Sequence, residues 1–479
     1  MTRVASTVKV KAAADLLGVT PQTVRNWVAR GRLRAHRHPV NGYRLFELAE
    51  ILKIAELQNA DANASTPKLQ FKRSGNRGIR EYQLNDNTVK RSWIVSDRAN
   101  TDYCLADFEL DWLKQKKRPA LPSSSARTIR IADAFCGGGI FSLGMDEGLR
   151  SVGFRPDHVL GIDFNKAAIE TFRSNFSTSN ALHSDVLTVA HGALGVRPSL
   201  AEREFVITTG EVDVLVGGPP CQGNSDLNNH TRRVDPKNEL YFSMVRLAEL
   251  LKPRVVLIEN VPGVLHDKGG VVSRTSAALQ SLGYKVTQSV VDLQKLGVPQ
   301  RRKRLIVMAY ANGYFDIEQA LSNNAVSPRP ISWALHDLED KYDQTTIYNS
   351  SAVHSEENQR RMEYLFRHHL YDLPNSERPP CHRDKNHSYV SVYGRMHWDS
   401  AAPTITGGFG STGQGRFVHP KHPRTITPHE ACRLQFVPDF FRFPTGVGRR
   451  AMQQIIGNAA PPKLSQVLIT EAATQGLLG

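Results

Sequence analysis

The segment Gly217-Gly218-Pro219-Pro220-Cys221-Gln222-Gly223 sets a thiol between a proline pair and a glycine, directly after the apolar run VDVLV. Proline fixes φ and glycine frees it, so the cysteine sits on a short, stiff arm. A thiol carried this way beyond a strand end is placed like a nucleophile rather than packed like a core side chain. A second apolar run, RVVLIENV, ends in Glu259-Asn260-Val261. A carboxyl on a neighbouring strand end can act on the same substrate as a general acid. A third run, KRLIVMAY, is led in by Gln300, Arg302 and Arg304. Alternating arginines point to one face of an extended chain, where they could bind a carbonyl or phosphate oxygen or be exposed edge charges.

Upstream, the run TIRIADAF leads into Asp133-Ala134-Phe135-Cys136-Gly137-Gly138-Gly139, and HVLGIDF contains Gly161-Ile162-Asp163. Glycines after a strand let the backbone turn sharply and approach a ligand. An acidic residue at the next strand end can hold ribose hydroxyls. The G-x-G-x-x-G fingerprint and the P-loop lysine are both missing, so a nucleoside cofactor without a pyrophosphate fits better than a dinucleotide. Asp185, in HSDV, could hydrogen-bond an adenine amino group; Asp163 and Asp185 could instead cap helices.

These residues need a scaffold that brings strand ends together. The five runs are short, β-branched and nearly continuous in apolar residues, as strands buried on both faces of a parallel sheet must be. In such sheets, ligands bind beyond the carboxyl ends of the strands. The expected class is therefore α/β, from residue 128 onward. Hydrophobic residues make up 40% of the 479 residues and charged residues 22%, which argues against disorder and leaves ample length for several domains. No apolar run reaches the length of a membrane span, and the amino terminus lacks a secretory signal. Five scattered cysteines without a CxxC pair argue against a disulfide framework and fit a reducing cytoplasm. Cys381, His382 and His387 lack a fourth ligand and suitable spacing, so no metal is expected.

Charge separates the first quarter from the rest. The chain carries +15, and residues 1–128, with 23 basic and 12 acidic residues, hold +11 of it. Such an asymmetry points to a polyanion, most simply nucleic acid. Val10–Leu17 reads as a short helix, Gly18 as its break, and Thr20-Pro21 as the cap and first turn of a second helix, QTVRNWVAR. Arg25, Asn26 and Arg30 could face a major groove. Asn41-Gly42 marks a hairpin, and ELAEILKIAEL a third helix. The segment resembles the MerR-type winged helix-turn-helix. Residues 58–127 read as a linker with a basic hairpin (FKRSGNRGIREYQL), a helix (YCLADFELDWLKQKK) and a flexible joint (LPSSSAR), without evident chemistry.

Taken in order, the glycine turn, the ribose acid, the Pro-Cys loop, the Glu-Asn-Val triplet and the Gln-x-Arg-x-Arg segment resemble the C5-cytosine DNA methyltransferases. RTITPHEACRLQFVPDFF (424–441) is similar to that family's arginine-led motif. Gln454-Ile455-Ile456-Gly457-Asn458-Ala459-Ala460-Pro461-Pro462 is similar to its closing motif, which folds back beside the first strand. The resemblance covers about 350 residues. Departures are Ile140 where a further glycine is usual, Asn224 where an aromatic residue is frequent, and Lys237 where arginine is common.

The resemblance implies a Rossmann-like, S-adenosylmethionine-dependent methyltransferase domain with a smaller target-recognition domain behind the winged helix-turn-helix. Cys221 would add to C6 of a flipped-out cytosine, and Glu259 would hydrogen-bond N3 in its protonated form. Arg302 and Arg304 would hold the ring carbonyl, the flipped sugar-phosphate or the catalytic loop, with Arg304 assigned to the carbonyl. Phe135, Gly137, Gly139, Asp163, Asp185, Pro219 and Asn458 would bind the cofactor. Ser225 and Arg232, in a polar loop that closes behind the base, would meet phosphates. Arg395 and Thr404, the latter in a Thr-aliphatic pair with Ile405, would contact double-stranded DNA from the recognition segment. The implied divisions are 1–57, 58–127, 128–324 (catalytic), 325–420 (target recognition) and 421–479 (returning to the catalytic domain). A bacterial, nucleoid-associated enzyme accompanied by a restriction or phage-defence system is expected. The rivals are a DNA-binding regulator with an inactive methyltransferase body and a tRNA cytosine-5 methyltransferase.

Overall fold

The computed structural model describes residues 7–17, 20–29, 33–37, 42–52, 68–84, 87–95, 103–122, 125–177, 180–220, 240–383 and 391–479. The chain divides into a smaller unit, Met1–Gln70 with Glu81–Thr88, and a larger one, Phe71–Arg80 with Val89–Gly479. No helix among the described residues is long and apolar enough to cross a membrane.

In the smaller unit, strand β1 (Thr7–Lys9) leads into helix Val10–Leu16, and helix Pro21–Ala29 follows with proline in its first turn. Strands β2 (His36–Arg37) and β3 (Arg44–Glu47) form the expected hairpin, with Arg37 opposite Arg44. Gly42 takes φ 68°, and Arg37 Nη1 donates to its carbonyl at 3.1 Å. β1 pairs with the other edge of β3, a strand that the helical reading of this segment did not anticipate. Ala13, Ala14, Leu17, Val24, Leu33, Phe46 and Ile51 form its core.

The basic hairpin is present as β4 (Lys68–Ser74) and β5 (Arg77–Leu84), joined by β6 (Asn87–Ile94) in a three-stranded sheet. Within the larger unit, Arg80 Nη1 donates to Ser151 O at 2.8 Å and Arg91 pairs with Glu147 at 2.5 Å. Helix Leu105–Leu113 is more than a linker. Its Phe108, Trp112 and Leu113 lie in the main core, and its buried Glu109 pairs with Lys463 at 2.5 Å and with Arg329. Burial opposes ionisation of Glu109, but the two cations prevail and hold its pKa below the ordinary value. This helix, read from sequence without evident chemistry, thus belongs to the core of the larger unit.

The central sheet has seven strands in the order β12-β13-β11-β10-β7-β8-β9. They are β7 (Thr128–Ala134), β8 (Arg155–Asp163), β9 (Ala181–His183), β10 (Val214–Gly217), β11 (Val255–Asn260), β12 (Lys285–Asp292) and β13 (Lys303–Tyr310). Alternate residues feed two cores: Ile131, Val216, Leu257 and Ile306 on one face, Ala132, Leu215, Ile258 and Leu305 on the other. Helix Pro462–Thr474 packs against helix Ile140–Ser151 so closely that a Cβ on Gly144 would lie 1.9 Å from Pro462 O.

The expectation of a parallel sheet requires a correction. β7, β8, β9, β10 and β11 are parallel, but β13 runs antiparallel between β11 and β12. Only residues 293–302 link β12 to β13. That is shorter than the dozen or so residues a parallel crossover needs, so the chain reverses. The start of β13 therefore lies at the same edge as the carboxyl ends of the parallel strands.

Candidate active site

At that edge the segments after β7, β8, β10 and β11 and the start of β13 surround a cavity of about 1090 Å³. β7 ends in the glycine turn. Phe135 takes φ 61°, unusual for a residue with a side chain, and Gly137 and Gly139 take 53° and 85° before helix Ile140–Ser151 begins. Asp163, at the end of β8, holds the turn in place. Its Oδ2 accepts Gly137 N and its Oδ1 accepts Asn165 N, both at 2.8 Å. Burial raises its pKa against these two amides. Each oxygen keeps a second lone pair for a ligand. The side chain that caps the next helix is Asn165.

Beside Asp163, Phe164 is 69% exposed and lines the cavity. A large aromatic ring left open next to a carboxylate offers a stacking surface. The sequence reading missed it, although an aromatic residue directly after a strand-end acid was the available signal.

The register of the sheet brings the carboxyl and arginine together. Glu259 lies opposite Ile306 on β13, and alternation puts Arg304 on the same face as Ile306. Arg304 Nε meets Glu259 Oε1 at 2.6 Å. Burial pushes the Glu259 pKa up, while Arg304 and then Arg302 pull it down; burial prevails. On the other side, a Cβ on Gly218 would come within 3.2 Å of Glu259 Oε2. The next residue of β11, Asn260, donates from Nδ2 to Pro219 O at 2.8 Å and accepts Val261 N through Oδ1. It therefore tethers the proline pair to the strand that carries Glu259, a role its place in the triplet did not reveal.

Gln300 and Arg302 do something different from Arg304. Arg302 is 2% exposed and donates to Ile405 O at 2.7 Å, Gly457 O at 3.0 Å and Ala459 O at 2.8 Å. Gln300 accepts Ile405 N at 2.8 Å and donates to Gln435 Oε1 at 2.9 Å. The pair fastens β13 to two distant segments of chain. Both arginines line the cavity, but Arg302 uses its guanidinium to close the fold, because buried backbone carbonyls surround it.

Thr404 sits at the cavity wall, its Oγ1 donating to Arg301 O at 2.6 Å; exposed Arg301 and Lys303 line the same wall. Gly137, Pro219 and Asn458 line the cavity as well. Gly139 is not a lining residue and instead starts the helix, packed near Phe176. Asp185 is exposed, lies outside the lining, and caps a short turn by accepting Leu187 N at 2.9 Å. Arg395 donates to Pro420 O at 2.8 Å and stacks over Phe366 at 3.9 Å, away from the cavity lining. Arg25 is exposed on the second helix of the smaller unit, within reach of Gln22 at 3.2 Å. Cys221, Ser225, Arg232 and Arg30, and the side chain of Asn26, lie outside the described residues. Pro220, immediately before Cys221, lines the cavity.

Residues 129–473 match a family model described as C-5 cytosine-specific DNA methylase, and residues 7–56 match a helix-turn-helix domain model. The chain is 46% identical over 361 residues to the Type II methyltransferase M1.BsuMI of Bacillus subtilis, covering 75% of this chain and 84% of that protein. It is 30% identical over 350 residues to the Type II methylase M.HgiDII of Herpetosiphon aurantiacus, covering 71% and 93%. Two crystal structures share the fold. One, from Escherichia coli, was assigned as a prophage-encoded DNA modification methyltransferase (TM-score 0.54, 23% identity, 72% of this chain and 98% of that one). The other is the S. pombe Dnmt2 methyltransferase (TM-score 0.50, 17% identity, 72% and 97%).

Proposed function

The chain belongs to the C-5 cytosine-specific DNA methylase family and is a DNA cytosine-5 methyltransferase, and from that premise we propose that S-adenosylmethionine is its methyl donor and Cys221 its nucleophile. The observation that carries the reading is the Glu259–Arg304 pair beside Gly218 and Pro219, with the proline loop tethered by Asn260.

The cavity fits the cofactor. Its volume is ample for a nucleoside-sized ligand, and exposed Phe164 offers a face for an adenine ring. Asp163, fixed by two amides, keeps lone pairs for ribose hydroxyls. The Phe135–Gly137 turn, Pro219 and Asn458 complete the residues assigned to it. When bound, S-adenosylmethionine supplies an electrophilic methyl group.

The chain's own residues make cytosine reactive. C5 of cytosine is a weak nucleophile while the ring is aromatic. Addition of the Cys221 thiolate to C6 breaks the aromaticity and moves electron density onto C5. Glu259 holds a proton at N3 and offsets the charge that develops there; burial favours this protonated form. Arg304, already placed against Glu259, is the donor assigned to the ring carbonyl. Once C5 carries the methyl group, the donor having left as its neutral thioether, transfer of the C5 proton to solvent water leaves the electron pair that re-forms the C5–C6 double bond and breaks the C6–S bond. The ring regains aromaticity and Cys221 returns as thiolate. The target must leave the duplex stack for any of these contacts to form. Arg301 and Lys303, exposed and lining the cavity, are the cations proposed for its phosphates.

The divisions at 57, 127, 324 and 420 are proposed as functional limits, with helix Leu105–Leu113 as catalytic-domain support. The helix-turn-helix would add duplex affinity, and a restriction system would be the enzyme's counterpart in the bacterial cytoplasm, as the Type II names of its relatives suggest.

Incubation with tritiated S-adenosylmethionine and duplex DNA should label C5 of cytosine, and Cys221→Ala should abolish labelling while cofactor binding persists. Duplexes containing 5-fluorocytosine should trap the wild-type protein covalently. Methylation by Cys221→Ala at the normal rate would remove the nucleophile from this scheme, and preferential methylation of RNA would favour the tRNA enzyme.

A further inference from the structure

A second groove, of about 660 Å³, opens beside the cavity and shares Gly407, Gln454 and Asn458 with it. One wall is helix Arg449–Asn458, the other the glycine-rich loop 407–415. Loop and helix are fitted to each other. A Cβ on Gly457 would lie 2.1 Å from Gly407 N, and one on Gly410 would lie 1.8 Å from Gln453 Nε2. Side chains at either position would force the walls apart, so the groove's shape is built in.

The helix presents one face to this groove. Arg450, Gln453, Gln454 and Asn458 follow the i, i+3, i+4, i+8 spacing, and all four line it. Arg449 is tied down by Ser350, whereas Arg450 is exposed. Among the described residues, the side chains of Arg450, Gln453 and Gln454, and of Gln414 across the groove, make no hydrogen bond. A groove walled by guanidinium and amide groups without hydrogen-bond partners among the described residues, sharing Gly407, Gln454 and Asn458 with the cavity that also holds Glu259 and Arg304, matches base edges chemically. Arginine reads guanine and glutamine reads adenine, each through two hydrogen bonds.

We propose that the face Arg450–Gln453 of this helix, together with Gln414, forms part of the sequence-reading surface for the duplex beside the flipped cytosine. It would supplement the recognition segment 325–420. The inference rests on the DNA methyltransferase reading and names Arg450 and Gln453, outside that segment, as determinants of specificity alongside Gln414 within it.

The test uses the full chain. Bisulfite sequencing of methylated DNA defines the site, and kcat/KM is then measured on a panel of duplexes in which each base pair of the site is changed singly. Gln453→Ala and Arg450→Ala should each lower kcat/KM on the preferred duplex by about tenfold or more and relax discrimination at one base pair. Arg450→Lys, which keeps the charge but loses the two-pronged donor, should behave like Arg450→Ala. A uniform loss on every duplex, restored by Arg450→Lys, would mean phosphate contact alone and would overturn the proposal. So would unchanged discrimination in both alanine variants. Duplex affinity is measured over the same panel, and covalent capture by 5-fluorocytosine is followed in the wild type. Absent capture would refute the methyl-transfer reading, while the affinity panel would still decide whether these side chains read sequence.

Discussion

Replacing Arg302 by methionine separates a group that holds the fold from one that holds the substrate. The guanidinium is buried and gives three hydrogen bonds of 2.7–3.0 Å to the carbonyls of Ile405, Gly457 and Ala459. Methionine has similar length but no donor, so the buried carbonyls of Ile405 and Gly457 lose their partner, while Ala459 O keeps Gln435 Nε2 at 3.4 Å. At about 1–3 kcal/mol for each buried group left unsatisfied, the loss is roughly 2–6 kcal/mol. Against this, burial and then the neighbouring Arg304 disfavour the charged form of Arg302. Removing that buried charge offsets part of the loss. A net destabilisation of about 1–3 kcal/mol is expected, read as a lower denaturant midpoint. The freed carbonyls flank Asn458 and Thr404, so cofactor affinity, measured by calorimetry, should fall by about tenfold or more, while kcat at saturating cofactor changes less. Unaltered stability and cofactor affinity with a collapsed kcat would refute the clamp and return Arg302 to the substrate.

Asp133→Asn should alter the pH dependence of stability. Burial raises the Asp133 pKa from 3.8 to about 7, with Ser142 opposing and Asp163 adding. A raised folded-state pKa gives stability that is complete below 3.8 and lost as pH climbs through about 7. The variant should therefore gain on the wild type across that window, by on the order of a few kcal/mol at pH 8, and parallel pH–stability curves would contradict the assignment. Phe164→Ala should weaken S-adenosylmethionine binding by about tenfold with little change in kcat at saturation; unchanged affinity would place the adenine elsewhere. Removal of residues 1–57 should lower duplex affinity and flatten its dependence on salt, because phosphate contacts release counterions. An unchanged slope would assign that module another partner.

Much of the candidate site was legible because its signals are local. A glycine turn after TIRIADA, an acid ending HVLGID, a proline pair after VDVLV and a carboxyl ending VVLIEN each belong to one strand and its exit. Strand ends at one edge of a sheet are neighbours by construction. The helix pair, the hairpin at Gly42 and the basic hairpin at Gly75 were legible for the same reason. Asp185 shows the limit of such reading: a strand-end acid and a turn cap carry the same local pattern, and the contact with Leu187 N at 2.9 Å is visible only in the structure and leaves its other oxygen for a ligand.

Amino-acid order by itself determined which groups are available: a thiol on a stiff loop, a carboxyl, arginines and an open cofactor turn. The tertiary structure decided how the carboxyl, the arginines and the turn meet. Residues leading into a parallel strand would lie at the far edge from Glu259. The reversal of β13 carries Arg304 across to Glu259. It also sends Arg302 toward carbonyls more than 100 positions away along the chain. Periodicity reports burial and strand exits, but strand direction follows from the short 293–302 link, and side-chain partners follow from packing between segments that no local pattern connects.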